Sequence, residues 1–113
     1  MQLSRLKRRR EFLKAAQEGK RWTATGLIIQ AVGNEAEEAR IGFTVSRKVG
    51  NAVKRNRARR RLKEAARLTL PEIAKSCFDY VLIGRKETLT RPFKDLIGDL
   101  RWSLKRMGLL KEE

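Results

Sequence analysis

A chain of 113 residues carries 28 lysines and arginines against 13 aspartates and glutamates, a formal charge of +15, with 41% of its residues apolar. Charge of that size repels itself in a compact state and points to a polyanionic partner, nucleic acid or an anionic membrane. No apolar run approaches the roughly 20 residues of a membrane span, histidine is absent, and the one cysteine, Cys77, excludes an internal disulfide or a cysteine-only zinc site.

The missing histidine removes Ser-His and Cys-His nucleophile pairs and the commonest general base. Chemistry run by this chain alone would rest on carboxylates, lysine or Tyr80, so stand-alone catalysis is not expected. The length suits a single domain spanning 1–113. Residues 1–10 are basic but lack a following apolar core, unlike a secretory signal, and a cytoplasmic location is expected. Cys77, beside Phe78 and before an apolar run, is expected to be a buried structural thiol.

A first helix is predicted over 7–17, with Phe12, Ala15 and Ala16 at helical spacing and Gly19 placed to end it in a left-handed conformation. Its apolar face is thin, so it must lie on a sheet. Residues 25–32 read as a strand and 33–38 as a polar, acidic hairpin loop. Residues 39–46 alternate, with Ile41, Phe43 and Val45 on one face and Arg40, Gly42, Thr44 and Ser46 on the other. Gly50 and Asn51 open a second helix over 52–69, Asn51 being a natural N-cap. Ala58, Leu62, Ala65, Ala66 and Thr69 form its buried stripe, and the helix is expected to end near Leu70, before Pro71. Residues 78–84 are a central strand, 92–107 a last helix closed by Gly108, and 109–113 a frayed tail. The expected fold class is α+β: a small mixed β-sheet packed with three helices, containing a β-α-β crossover from strand 39–46 through helix 52–69 to strand 78–84.

That crossover carries the functional signal. Arg47, Lys48, Lys54, Arg55, Arg57, Arg59, Arg60, Arg61 and Lys63 crowd around one acid, Glu64, with Arg67 beyond. Arginine presents a planar fork suited to phosphates and to stacking on bases. Asn51 and Asn56 add amides able to reach base edges, sugar hydroxyls or hydrated metal ions, although a first-turn asparagine also has an ordinary structural role. A groove between the first helix and the polar face of the second strand would be lined by Phe12, Thr44, Ser46 and Gln30, with Lys48 and Arg55 at its rim. Single-stranded nucleic acid wants such a cationic groove beside aromatic platforms. Phe12 and Trp22 are the candidates, each equally readable as a core anchor.

The run Ser46-Arg-Lys-Val-Gly-Asn-Ala-Val-Lys-Arg-Asn-Arg-Ala-Arg-Arg-Arg-Leu-Lys-Glu-Ala65 resembles the signature of the bacterial ribonuclease P protein subunit. The opening Arg5-Leu-Lys-Arg-Arg-Arg-Glu-Phe-Leu13 and the strand Phe78-Asp-Tyr-Val-Leu-Ile-Gly-Arg85 are similar to that family too, in the same order along the chain. The resemblance implies an α/β sandwich whose crossover is left-handed, against the usual rule. It also implies a role as the non-catalytic protein subunit of an endoribonuclease in tRNA processing. In such a holoenzyme the RNA subunit, with Mg²⁺ bound mainly by that RNA, removes the 5′ leader of precursor tRNA. The implied partners are ribonuclease P RNA and the leader, with no membrane and no protein partner required; the chain's own metal ligands are left open.

By position, Arg55, Asn56 and Arg57, with Arg47, Lys48, Asn51, Lys54, Arg59, Arg60, Lys63 and Arg67 around them, would face the RNA, while Phe12 and Thr44 would line the leader groove. Two positions often aromatic in the family are Ala16 and Gln30 here, so leader stacking is expected to be either weaker or supplied partly by Trp22. A ribosomal protein or general RNA chaperone is the alternative that shares the charge and the small core.

Overall fold

Residues Leu27–Gly33 (β3) and Phe78–Gly84 (β5), the two most apolar runs, pair antiparallel over their full length, from Leu27 opposite Gly84 to Gly33 opposite Phe78. A strand buried on both faces reads as a continuous apolar run, and β5 is central as expected. The computed structural model describes residues 3–111. Around the central pair lie β1 (Ser4–Arg5), β2 (Lys20–Thr23) and β4 (Arg40–Thr44), in the spatial order β1-β4-β5-β3-β2. β4 runs parallel to β5 and to β1, whereas β3 is antiparallel to β5 and β2. The sheet is mixed, as predicted, with five strands among the described residues where the sequence pattern shows three.

The helices are α1 (Arg9–Glu18), α2 (Ala52–Ile73), α3 (Lys86–Thr90) and α4 (Phe93–Met107), with a 3-10 turn at Arg47–Val49. One face of the sheet meets α2 and α4. Leu62, Ala65, Ala66 and Leu70 of α2 and Leu96, Leu100, Leu104 and Met107 of α4 pack on Leu27, Ile29, Ile41, Tyr80 and Leu82. The alanines let the α2 backbone come close to the sheet, the role expected of the small-residue stripe. The other face meets α1 alone, where Leu6, Ala15 and Val81 are buried with Phe12, Val32 and Ile83 against them.

Several expectations change. Gly19 is extended (φ −79°), not left-handed. It is glycine because a Cβ would stand 2.5 Å from the Ala15 carbonyl oxygen and 2.7 Å from that of Ala31. α2 passes through Pro71 to Ile73. Proline there forfeits only one late-turn hydrogen bond, and the returning C-terminal segment holds the end: Lys75 N–H donates to Leu109 O at 2.9 Å and Lys111 N–H to Ile73 O at 2.8 Å. Residues 109–111 are therefore not a frayed tail. Leu109 is buried and Leu110 bridges to Ala74; Glu112 and Glu113 lie outside the described residues.

The described residues form four α-helices instead of the three expected. The additional α3 has a tertiary cause: Thr88 Oγ1 accepts from Arg85 N–H at 2.9 Å and donates to Gly26 O, while Arg85 reaches Ala24 O at 2.6 Å. Cys77 is exposed, with φ 68°, and is not the buried thiol expected.

Candidate nucleic-acid interface

β4 delivers the chain into a shaped turn. Val49 is buried and pins the 3-10 turn, and Gly50 follows at φ 147°, where a side chain would be strained. Asn51 Oδ1 accepts the Lys54 N–H at 2.9 Å, the predicted N-cap. The first turn of α2 then holds Lys54 and Arg55 and no acid. A helix N-terminus carries positive partial charge and favours acidic side chains. Cations there stack repulsion upon repulsion unless an anion binds.

The rest of α2 sorts its charges by face. Arg47, Lys48, Lys54, Arg57 and Arg60 are exposed, and Arg55, Arg59 and Lys63 half-buried. Val53, Asn56, Arg59, Arg60 and Lys63 line a concavity of about 470 Å³. Lys63 also joins a second one of about 390 Å³, with Arg5, Phe43, Arg67 and Pro71. Asn56 Oδ1 accepts from Arg59 Nη1 at 2.9 Å, which leaves its amide N–H₂ outward. Each asparagine oxygen accepts one internal hydrogen bond, and the exposed side chains of Asn51 and Asn56 offer amide N–H groups suited to phosphate or base acceptors. Arg67 is paired with Glu64 at 2.5 Å, so its charge is partly neutralised. Arg61 turns inward: its Nη2 donates to Arg91 O, and its guanidinium lies 5.9 Å from the centre of the Phe93 ring. Val53, 75% exposed among these cations, is an apolar contact that the charge pattern hid.

The groove lies on the α1 face. Arg9, Phe12, Leu13 and Ala16 of α1 and Gln30, Thr44, Val81 and Ile83 of the sheet line a cleft of about 330 Å³. The Phe12 ring rests on Gly42, where a Cβ would stand 2.5 Å from its edge. Phe12, Gln30 and Thr44 are thus brought together as predicted. Ser46 and Trp22 are not. Ser46 lies past the end of β4, exposed, where its carbonyl accepts the Val49 N–H.

Trp22 pairs with Ile29 and so shares its face, packing into the core beneath α4 on the opposite side of the sheet. The aromatic content of the cleft is Phe12 alone. Nor do Lys48 and Arg55 line its rim: the lining cation is Arg9, and Arg21 stands beside Gln30 on the same face. Arg21 was invisible as a groove residue because β2 was not recognised as a strand.

The buried and capping ionisable groups are engaged within the fold. Asp79, 3% exposed, accepts two hydrogen bonds from Arg40 (2.7 and 2.8 Å) and one from Asn34 (2.7 Å). Asp99 accepts two from Arg91 and one from Gly26 N–H. Glu11 caps α1 through the Lys7 and Arg8 N–H groups and pairs with Arg40 at 3.1 Å. Tyr80 is fully buried; burial pushes its phenol pKa up, and the hydroxyl donates to Lys75 O at 2.6 Å. Among the described residues no three His, Cys, Asp or Glu side chains converge on a point. The described residues offer no carboxylate cage that fits Mg²⁺.

A family model described as Ribonuclease P matches residues 1–108. The chain is 51% identical to the ribonuclease P protein component of Paramagnetospirillum magneticum over 97% of its length and 86% of the relative's. It is 52% identical to that of Gluconacetobacter diazotrophicus, over 93% of this chain and 91% of the other. Among solved structures, the RNase P protein from Thermotoga maritima superposes with a TM-score of 0.77 at 33% identity, covering 91% of this chain and 96% of that one.

Proposed function

Because this chain belongs to the bacterial ribonuclease P protein family, we propose that its basic helix holds the ribonuclease P RNA while its cleft holds the 5′ leader of precursor tRNA. The observation that carries this division is the direct continuity of the two surfaces: Thr44 ends β4 in the cleft, and α2 begins at Ala52 after a single pinned turn. The cleft floor has the form an extended strand needs. Thr23, Ile28, Ile83 and Thr44 stand in register across β2, β3, β5 and β4, a row about 14 Å wide at ordinary strand spacing. Apolar residues at its centre, threonine hydroxyls at its ends and Arg9 above suit bases and phosphates of one strand, whereas a duplex is too wide for it.

In this reading phosphodiester hydrolysis belongs to the RNA. Its buried carboxylates, Asp79 and Asp99, and the capping Glu11 are committed to internal pairs, its phenol is buried, and histidine is lacking. Mg²⁺ would sit chiefly among RNA phosphates, with Arg55, Arg57 and the outward amide groups of Asn51 and Asn56 fixing those phosphates in place. The assembly would work in the cytoplasm beside newly made tRNA precursors. The relatives lend no support to a ribosomal protein or general RNA chaperone.

The test is the affinity of the reconstituted holoenzyme for precursor and mature tRNA at fixed salt and Mg²⁺. Tighter binding of the leader-bearing form is expected, and its loss with Phe12→Ala in a chain whose melting temperature is otherwise accounted for. Equal affinity for the two tRNAs would refute the assignment of the cleft.

A further inference from the structure

Trp102 stands on the outer side of α4 and is 52% exposed, the one large apolar side chain of that helix so placed. Its neighbours along the i±4 ridge are Gly98 and Arg106. The Arg106 guanidinium carbon lies 5.6 Å from the centre of the Trp102 ring and 5.4 Å from that of Trp22, so the cation is held between two indoles. Toward the N-terminal end of that ridge the helix surface is bare. A Cβ at Gly98 would meet no atom within 4 Å, and the position lies inside α4 with no positive φ to demand glycine. Glycine weakens a helix interior relative to alanine. Trp102 follows Gly98 by one turn on the same ridge, so a longer side chain at Gly98 would stand beside the indole. Arg106 covers part of the indole, and about half of the residue remains exposed, 52%.

The surroundings select the occupant. Residues 100–107 contain Arg101, Lys105 and Arg106 and no acid, and none of the three is ion-paired among the described residues. Lys20 is exposed on the same face of β2 as Trp22. A lone indole with no apolar neighbour on its helix gives a lipid surface little to bury. A flat π-face backed by a cation and ringed by others matches a nucleobase with its phosphate.

We infer that Trp22, Arg106 and Trp102 form a platform on which one unpaired nucleobase of RNA stacks, across the sheet from the α1 cleft and at the β2 edge. This goes beyond the proposed function, which needs neither Trp102 nor Gly98. The base could come from the RNA subunit or from the precursor tRNA; the chemistry of recognition is the same.

The experiment uses the full chain carrying Trp22→Phe, which leaves Trp102 as the only tryptophan. Titration with a ten-nucleotide oligoadenylate is expected to quench its emission, whereas heparin, an anion without bases, leaves it unchanged. Gly98→Gln places a side chain in the open space: it should raise the melting temperature and shift half-quenching to about tenfold higher oligoadenylate. Ribonuclease P RNA and precursor tRNA, added separately, identify the source by which one quenches. An unquenched Trp102 with both RNAs, equal quenching by heparin, or an unchanged midpoint in Gly98→Gln would overturn the platform. Leader discrimination by the holoenzyme, measured alongside, reports on the cleft and can fail while quenching persists, or persist while quenching fails.

Discussion

Arg60 and Arg61 are adjacent, chemically identical and embedded in the same basic run, yet their surroundings predict opposite phenotypes. Arg60 is exposed, lines the concavity with Asn56 and Arg59, and makes no internal hydrogen bond among those described. Arg61 is half-buried, donates to Arg91 O and covers the Phe93 ring. For Arg61→Ala the loss combines a charge-assisted hydrogen bond of ~1.5–3 kcal/mol and a cation–π contact of ~0.5–1 kcal/mol. Arg61 Nε is buried without a partner, and removing that penalty returns part of the loss, so about 2 kcal/mol is expected. In a domain of this size one kcal/mol moves the melting temperature by about 4 °C, giving a fall of about 8 °C.

Arg60→Ala should leave the melting temperature within about 2 °C, since exposed substitutions away from such features change stability little. Its effect belongs to RNA binding: losing one phosphate contact reduces the slope of log affinity against log salt by about 0.7–0.9. Thermal unfolding followed by circular dichroism and filter binding to ribonuclease P RNA across a salt series measure both. The reasoning fails if Arg61→Ala lowers the salt slope without moving the melting temperature, or if Arg60→Ala unfolds the chain.

Three further outcomes follow from the same geometry. Gly42→Ala forces the Phe12 ring off the cleft floor and should cost about 1–2 kcal/mol by overpacking while diminishing the holoenzyme's preference for leader-bearing tRNA; an unchanged preference would place the leader elsewhere. Asn51→Ala removes the α2 cap at about 1 kcal/mol, and Asn51→Asp should restore the melting temperature while weakening RNA binding, because it keeps the acceptor but adds a negative charge. The Arg8 N–H above all, with help from Lys7 and Arg40 and against some opposing burial, holds the Glu11 carboxyl below the usual range. A depressed carboxylate stabilises fully above its unfolded pKa and loses that contribution as pH falls through the folded value. Acid unfolding below about pH 4.3 should therefore be less steep in Glu11→Gln, and identical acid limbs would remove Glu11 from the account.

What could be read in advance was what local pattern determines. The α2 stripe, the cap at Asn51, strand β5 and the polar face of β4 all follow from spacing, and each lies where spacing puts it. What escaped was set by partners distant in sequence. β1 has two residues and exists because Ser4 and Leu6 N–H groups pair with Ala39 and Ile41 carbonyls. β2 has one apolar residue, Trp22, whose partner face is supplied by α4. Missing β2 misplaced Trp22 into the cleft and hid Arg21 beside Gln30. The charge run was similarly ambiguous: composition treats Arg60, Arg61 and Arg67 alike, whereas the fold exposes the first, turns the second inward and pairs the third with Glu64.

The position of the crossover explains why a chain this small tolerates so much like charge on one helix. α2 is held along its length by Leu62, Ala65, Ala66 and Leu70, all at most 1% exposed, so its cations cannot move apart to relieve repulsion. Rigid presentation costs stability in the free protein and is recovered when phosphates arrive in the matching geometry, the general advantage of preorganisation. Because β4 leads through one pinned turn into α2, the cleft and the cationic face are parts of a single rigid unit. If RNA binds α2 as proposed, it fixes where the cleft points. On the proposed assignment, a leader in the cleft would then be aligned with that RNA by the fold itself. Lengthening the turn at Gly50 by inserted residues should uncouple the two, preserving each affinity measured separately while abolishing the holoenzyme's preference for leader-bearing tRNA.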